Sequence, residues 1–448
     1  VERYRELLLS VLLFVGICLF SGAQGRGQDI SLREALERAL LGNREIGKAE
    51  IEVEIARSAL RKARENTFSP AMTFEETVRL SGESPEGFSL ELRDTISFDA
   101  SLWEEEKVSL ERAERALEAT KEEVKKNVVT SYLEILKTKN TLALEEKSLE
   151  LLKERFERLG EGYEKGEAAA FALQEAEGQY REQEGKVRVL KEKLRLLEER
   201  FFQLLGEEIP GEEVTFQPLP QRLPAFSRDL TLQDFVAMRD EVEDLEGQRR
   251  VLEAQEAQLR RKGLPQITLE GTYSKDGWSL TAGYSFSAKS LNIALEKPLG
   301  TQGVSSGEHF GVGLAVSWSF SPSLSEEKKQ VELRKKALLL DLETEKANVL
   351  FDIREKYLSL GEAWNTLEGK RMLLEAERER HAQVMKQWEL GSIDQVTLLE
   401  SELSLFQAQV ACENAFCDLL ASFVAFLRST EQPILWETLF PQEGDGRT

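Results

Sequence analysis

Apolar positions along the chain fall into long stretches with a period near 3.5 and short stretches with a period of two. In the long stretches the apolar seam is narrow. Leu110, Leu117 and Val124 lie seven apart, and Val349, Ile353, Tyr357, Leu360, Trp364 and Leu367 follow a 4-4-3-4-3 spacing. This is the repeat of coiled-coil-like helices. The other faces are rich in Glu, Lys and Arg. The short stretches alternate strictly. Trp278, Leu280, Ala282, Tyr284 and Phe286 are interleaved with Ser279, Thr281, Gly283, Ser285 and Ser287. Phe310, Val312, Leu314, Val316, Trp318 and Phe320 are interleaved with Gly, Ala and Ser, and Phe88 to Phe98 is nearly as regular. Alternation over about ten residues with aromatics toward the ends is the pattern of a transmembrane β-strand.

These stretches are arranged as two structural repeats, 24–208 and 231–430, joined by a connector, 209–230, that holds four prolines, and followed by a tail, 431–448. Each repeat opens with a helical stretch of about 33–36 residues that ends near a proline, Pro70 or Pro265. A strand block follows, 71–98 or 266–320, then a helix of about 60 residues, a turn at 160–168 or 388–393, and a helix of about 37 residues. A 60-residue helix is ~90 Å long, and the two shorter helices of a repeat match it when stacked. The pattern predicts a tube wall in which single long helices alternate with stacked pairs.

The helices that flank a strand block leave it on the same side, so each block holds an even number of strands. The first fits two, 71–80 and 88–98, with an outer loop between them. The second fits either two strands with a long loop or four, at 266–274, 278–287, 290–297 and 309–320, with Asp276-Gly277 as a hairpin turn. So few strands cannot close a barrel alone, and several chains must contribute.

The N-terminal apolar run from Leu7 to Phe20, followed by Ser21-Gly22-Ala23, reads as a signal peptide over 1–23. Lipid attachment at Cys18 is the alternative. No second run of eighteen consecutive apolar residues is apparent, so a membrane-inserted form of this chain is expected to be a β-barrel. Composition narrows the function further. Of 448 residues, 31% are charged and 41% hydrophobic, with a net charge of -22. That acidity excludes nucleic acid as the main partner. Three cysteines and two histidines show no disulfide framework or metal-ligand spacing. No phosphate-binding loop or nucleophile elbow occurs. No enzyme activity, cofactor or metal is expected.

The sequence resembles the TolC-like outer-membrane efflux proteins over nearly all of the mature chain. The resemblance rests on Ser31-Leu32-Arg33-Glu34-Ala35-Leu36 at the opening and on Phe98-Asp99 and Phe320-Ser321-Pro322 at the strand-to-helix junctions. It rests also on Tyr163-Glu164-Lys165-Gly166 and Trp388-Glu389-Leu390-Gly391 at the helix-to-helix turns. It implies an α+β membrane protein of the cell outer membrane with a large periplasmic part. In such a protein an α-helical barrel continues into a transmembrane β-barrel shared by a homotrimer, four strands from each chain. It implies partnership with a periplasmic adaptor (membrane fusion) protein and an inner-membrane RND or ABC pump, in efflux or type I secretion. By position, the partner-contacting tip turns are Lys165, Gly166, Glu167 and Ala168, and Leu390, Gly391, Ser392 and Ile393. The pore-entrance candidates are Glu400, its counterpart Glu175, and Asp394; Thr397 stands where many members place an aspartate. The competing reading is a periplasm-spanning coiled-coil protein that tethers the outer membrane.

Overall fold

The computed structural model describes residues 28–66, 68–77, 87–97, 103–208, 214–220, 232–275, 278–286, 289–298, 308–317 and 322–440. The expected leader with Cys18, the loop tips at 81–86 and 276–277, the junction residues Phe98, Asp99, Phe320 and Ser321, and most of the connector lie outside them.

Strand β1 (Gln28–Ile30) leads into helix α1 (Leu32–Gly42). The Ser31 hydroxyl accepts from the Glu34 amide at 3.2 Å, satisfying one of the free N–H groups of the first turn. Helix α2 (Arg44–Asn66) follows at once. The single opening helix expected from the pattern is therefore broken, and Asn43 is the reason. Its backbone is extended (φ -70, ψ 128), its side-chain oxygen accepts from the Glu45 amide at 2.8 Å, and its side-chain nitrogen donates to the Leu204 carbonyl at 2.8 Å. An Asn that satisfies its own neighbour's amide competes with the helix ladder.

After α2 come strands β2 (Phe68–Thr77) and β3 (Gly87–Ser97), then the 61-residue helix α3 (Glu104–Glu164) and helix α4 (Ala170–Leu205). Strand β4 (Val214–Phe216) pairs in parallel with β1. The second half begins with a 3₁₀ turn (Leu232–Met238) and helix α5 (Asp240–Lys262). Strands β5 (Gln266–Lys275), β6 (Trp278–Ser285), β7 (Ser290–Pro298) and β8 (His309–Ser317) follow. The 68-residue helix α6 (Pro322–Glu389), helix α7 (Gln395–Ser429) and the short α8 (Trp436–Leu439) close the chain.

The helices form a wall. Helices α2 and α4 both pack on α3, α5 and α7 both pack on α6, and α7 also packs on α3. The lateral order is α2/α4, α3, α5/α7, α6. The predicted seam supplies the packing: Val124, Val349, Ile353, Leu360 and Leu367 are all buried, with Leu117, Tyr357 and Trp364 partly so. An aromatic part of the core lies where β1 and β4 meet α3. There Tyr132, Phe201 and Phe216 meet in tilted and edge-to-face ring pairs 5.4–6.0 Å apart, geometries that suit the ring quadrupoles. Gly206 ends α4 with φ +76, and a Cβ there would lie 2.0 Å from the Gly42 carbonyl oxygen. Only glycine lets α1 and α4 meet end to end at that spacing. Helix α7 contains a stretch long and apolar enough on average to cross a membrane, though it is not an unbroken apolar run, and over half of that window is buried inside the protein. It is the core helix of the wall. Cys412 and Cys417 on it are free thiols.

All six long strands form one antiparallel sheet, in the order β2-β3-β7-β6-β5-β8. The second block thus holds four strands, and the sheet has two more than the four the resemblance implies. The first strand takes in Phe68, Ser69 and Pro70, ahead of the expected start at 71, and is described as far as Thr77; 78–80 of the expected strand lie outside the described residues. Strand β2 is an edge strand of the single chain's sheet, one of the places that tolerate a residue without an N–H. The register aligns one row of apolar positions. Tyr273 pairs with Phe310 and Leu280, Leu269 with Leu314 and Tyr284, and Leu280 with Leu295. The same row continues from Leu295 to Leu92 and Met72, and from Leu291 to Ile96 and Phe68. The alternate positions, Ser279, Thr281, Gly283, Ser285, Asn292, Thr268, Thr272, Gly311 and Gly313, are small or polar.

Candidate functional site at the helical tip

Helix α3 leaves the sheet and runs 61 residues, ~92 Å at 1.5 Å per residue, before it turns. Its turn into α4 and the turn of α6 into α7 have the same backbone design. At the first, Gly166 has φ +77, its amide donates to the Tyr163 carbonyl at 3.0 Å, and the Glu167 amide donates to the Gly162 carbonyl at 2.8 Å. At the second, Gly391 has φ +69, its amide donates to the Trp388 carbonyl at 2.8 Å, and the Ser392 amide donates to the Gln387 carbonyl at 3.0 Å. Both are Schellman motifs, which satisfy the last free carbonyls of a helix through a left-handed residue. No atom lies within 4 Å of where a Cβ would stand at either glycine, so the requirement for glycine comes from the dihedral angle alone.

Helix α7 then starts on a side-chain cap. The Asp394 carboxylate accepts from the Thr397 amide at 3.1 Å and from the Thr397 hydroxyl at 2.5 Å. These bonds hold the Asp394 carboxyl below its ordinary range, with a smaller contribution from Arg158. Thr397 is therefore the partner of the cap. Contacts across the helices fix the two turns side by side. The Phe156 and Tyr180 rings stack 6.1 Å apart between α3 and α4. The Lys147 ammonium sits 3.9 Å from the Phe406 ring centroid between α3 and α7, and Asn140 donates to Glu413 at 2.8 Å.

Between the two turns lies a cavity of about 550 Å³. It is lined by Glu167, Ala168, Glu175, Asp394 and Glu400 together with Arg155 and Arg158. The structure thus brings Glu175, Asp394 and Glu400, expected from separate halves of the sequence, to one place. Lys165, Gly166, Leu390, Gly391, Ser392 and Ile393 stand at the apices of the turns, outside the cavity lining, and Leu390 is 82% exposed. Arg155 and Arg158 were not singled out by sequence. Their signal is a pair of arginines three apart, five and eight residues ahead of Tyr163, a spacing that puts both on one face. Phe171, 74% exposed at the start of α4, was missed too, because one aromatic in a helix carries no pattern. Among the described residues no group of three His, Cys, Asp or Glu side chains gathers as a metal site.

No family profile matches the chain, and no curated protein matches it significantly by sequence. Comparison of folds does find relatives. The transmembrane channel protein CusC superposes with a TM-score of 0.67 at 16% identity, covering 93% of this chain and 96% of that one. The outer-membrane protein VceC from Vibrio cholerae gives 0.64 at 15% identity, covering 90% and 96%. The open state of the MtrE outer-membrane channel from Neisseria gonorrhoeae gives 0.59 at 15%, covering 90% and 89%. From sheet to tip, the chain carries the fold of these outer-membrane channels, the TolC-like fold that its sequence resembles.

Proposed function

We propose that this chain is one subunit of an outer-membrane channel that conducts substrates outward from a periplasmic adaptor and an inner-membrane RND or ABC pump. The observation that carries this reading is the sheet. Six strands of 8–11 residues align one mainly apolar face and one polar face, in which small residues are interspersed with Glu91, Arg93, Glu270 and Glu296. That length and alternation suit a tilted barrel wall with lipid outside and water inside.

Assembly as a homotrimer is supported by the two flanks of the wall. On α6, Leu333, Leu340, Phe351 and Leu358 are exposed, while Val331, Leu338, Val349, Ile353 and Leu360 are buried. Residues two apart lie ~200° round a helix, so the exposed seam faces away from α5 and α7. The opposite flank has the same design. Ile51, Ile55 and Val189 are exposed beside the buried Val53 and Val187. The sheet is open on the same flanks. Strands β2 and β8 are its edges, and in an antiparallel sheet of six they run in opposite directions. The β8 edge of one copy therefore suits antiparallel pairing with the β2 edge of the next. Such head-to-tail contact closes into a ring. Around that ring the two repeats build a tube twelve helices in circumference, ending in the tip turns that face the adaptor.

At the tip, four acids and two arginines per copy line the cavity. Three copies around a narrow entrance focus a negative potential that favours cations. Single-channel recording of the purified mature protein in planar lipid bilayers tests this. Discrete, cation-selective openings are expected, with Glu400→Ala lowering the selectivity. Silence from the wild type, and also from a variant lacking the α3–α7 contacts of Lys147 and Asn140, would sink the channel reading in favour of a structural tether.

A further inference from the structure

We propose that the shared barrel has eighteen strands, because hairpin β6–β7 is a working third of each chain's share and not a surface ornament. The proposal rests on the trimeric channel reading above. Three copies of the six-stranded sheet make eighteen strands, against the twelve implied by the resemblance.

The hairpin's own residues support its place in the wall. It lies inside the sheet, between β3 and β5, and is paired on both sides over 8–9 residues. Its row of Trp278, Leu280, Ala282 and Tyr284, and of Leu291, Ile293 and Leu295, continues the apolar row of β5 and β8. A hairpin folded out into water would expose that whole row, at a cost of roughly 25 cal/mol per Å² of apolar surface. Its alternate row, Ser279, Thr281, Gly283, Ser285, Ser290, Asn292 and Ala294, carries one charge, Glu296 opposite Ser279, and is otherwise small, so it widens the barrel with little to fill it.

The number of strands sets the width. With strands 4.8 Å apart and tilted by 40°, eighteen close at a backbone diameter of ~36 Å and twelve at ~24 Å. Closed barrels of about 16–18 strands leave an aqueous channel. The barrel of this chain is then no barrier to bulky cargo, and the restriction lies at the tip cavity.

One row of the register makes the test. Thr95 pairs with Asn292, Asn292 with Gly283, and Gly283 with Glu270. With the hairpin inserted, Thr95 and Glu270 are three strands apart, ~14 Å. In a twelve-stranded barrel β3 and β5 are neighbours. Two double variants, Thr95→Cys with Asn292→Cys and Thr95→Cys with Glu270→Cys, are made in a background whose own cysteines are replaced by alanine. Both are treated in outer-membrane vesicles with a short bifunctional thiol reagent, and the assembly is sized by light scattering. The expected result is near-complete cross-linking of the first pair, background for the second, and three copies per particle. Cross-linking of the second pair in a trimer would overturn the eighteen-stranded barrel and leave the channel standing. Cross-linking of neither pair in a trimer would also remove the hairpin from the wall. A monomer, whichever pair reacts, would overturn the channel reading and this inference with it.

Discussion

Tyr132 is fully buried on α3, with its hydroxyl 2.8 Å from the Gln217 carbonyl and 3.0 Å from the Ile30 carbonyl. One side chain thereby ties both strands of the small parallel pair to the long helix. Burial pushes the phenol well above its ordinary range, so it remains a donor at any pH the protein meets. Replacing Tyr132 by Phe keeps the ring packing against Phe201 and Phe216 and removes the one O–H shared by the two carbonyls, of which that of Ile30 retains the Gln217 amide at 3.1 Å. A loss of about 1–2 kcal/mol is expected, read as a lower denaturant midpoint, with no dependence on pH across the neutral range. A matching residue, Tyr357, stands at the same place in the second half of the sequence. It is only partly buried and packs 6.0 Å from Phe426. The two tyrosines hold matching places in the two long helices; only the β1–β4 pair, absent opposite α6 among the described residues, tells them apart.

At the scale of elements, the start of α5 is clamped to the end of α7. The Asp240 amide donates to the Glu431 carboxylate at 2.8 Å, and Arg239 donates to the Ser429 carbonyl at 2.8 Å. Arg239 also lies 3.9 Å from Glu431. Burial raises the carboxyl groups of both Asp240 and Glu431, outweighing the nearby Arg115, Arg239 and Arg428. For Glu431 the folded protein then keeps its proton over a range where the unfolded chain has lost it. Its contribution to stability falls as pH rises from the ordinary carboxylate value near ~4.3 through the raised one. Gln at 431 keeps the acceptor and cannot ionise. Thermal melts at a series of pH values should show Glu431→Gln gaining on the wild type across that window and then holding a constant lead. A difference that does not change with pH would refute the assignment. No sequence pattern marks this clamp, because Glu431 lies 191 residues from Asp240 and each acid looks like any other of the chain's 81.

For the whole molecule, the exposed seams on the two flanks are the feature that a lone chain leaves unsatisfied. Phe351 and Leu358 are 67% and 66% exposed, one heptad apart, on the outer side of α6. Burying each against the α2/α4 flank of a second copy is worth roughly 1.5–3 kcal/mol. A Phe351→Glu, Leu358→Glu double variant touches none of the buried seam. It should retain its helical circular dichroism while light scattering falls from the proposed trimer to a monomer. A trimer that survives both charges would place the subunit interface elsewhere. The whole-molecule scale is also where the strand count matters, since β6 and β7 enlarge a ring that no single chain can close.

Local patterns specify the long helices, the amphipathic strands and the sequence in which they follow one another. Heptad spacing such as Val349–Ile353–Leu360 specifies which side of a helix is buried, and strict alternation in 278–286 and 309–317 specifies amphipathic strands, because both periods are properties of local backbone geometry. The two tip turns were legible for the same reason. A glycine three residues after an aromatic, at Gly166 and Gly391, marks a left-handed helix end without reference to the rest of the chain. Tertiary structure decided what depends on distant partners. Two or four strands in the second block were equally consistent with alternation, and pairing of β7 with β3, about 200 residues apart in the chain, settled it at four. The break at Asn43 depends on the Leu204 carbonyl, and the meeting of Glu175, Asp394 and Glu400 with Arg155 and Arg158 depends on α3, α4 and α7 lying side by side. A local period constrains a residue's face; only packing across the wall chooses its neighbours.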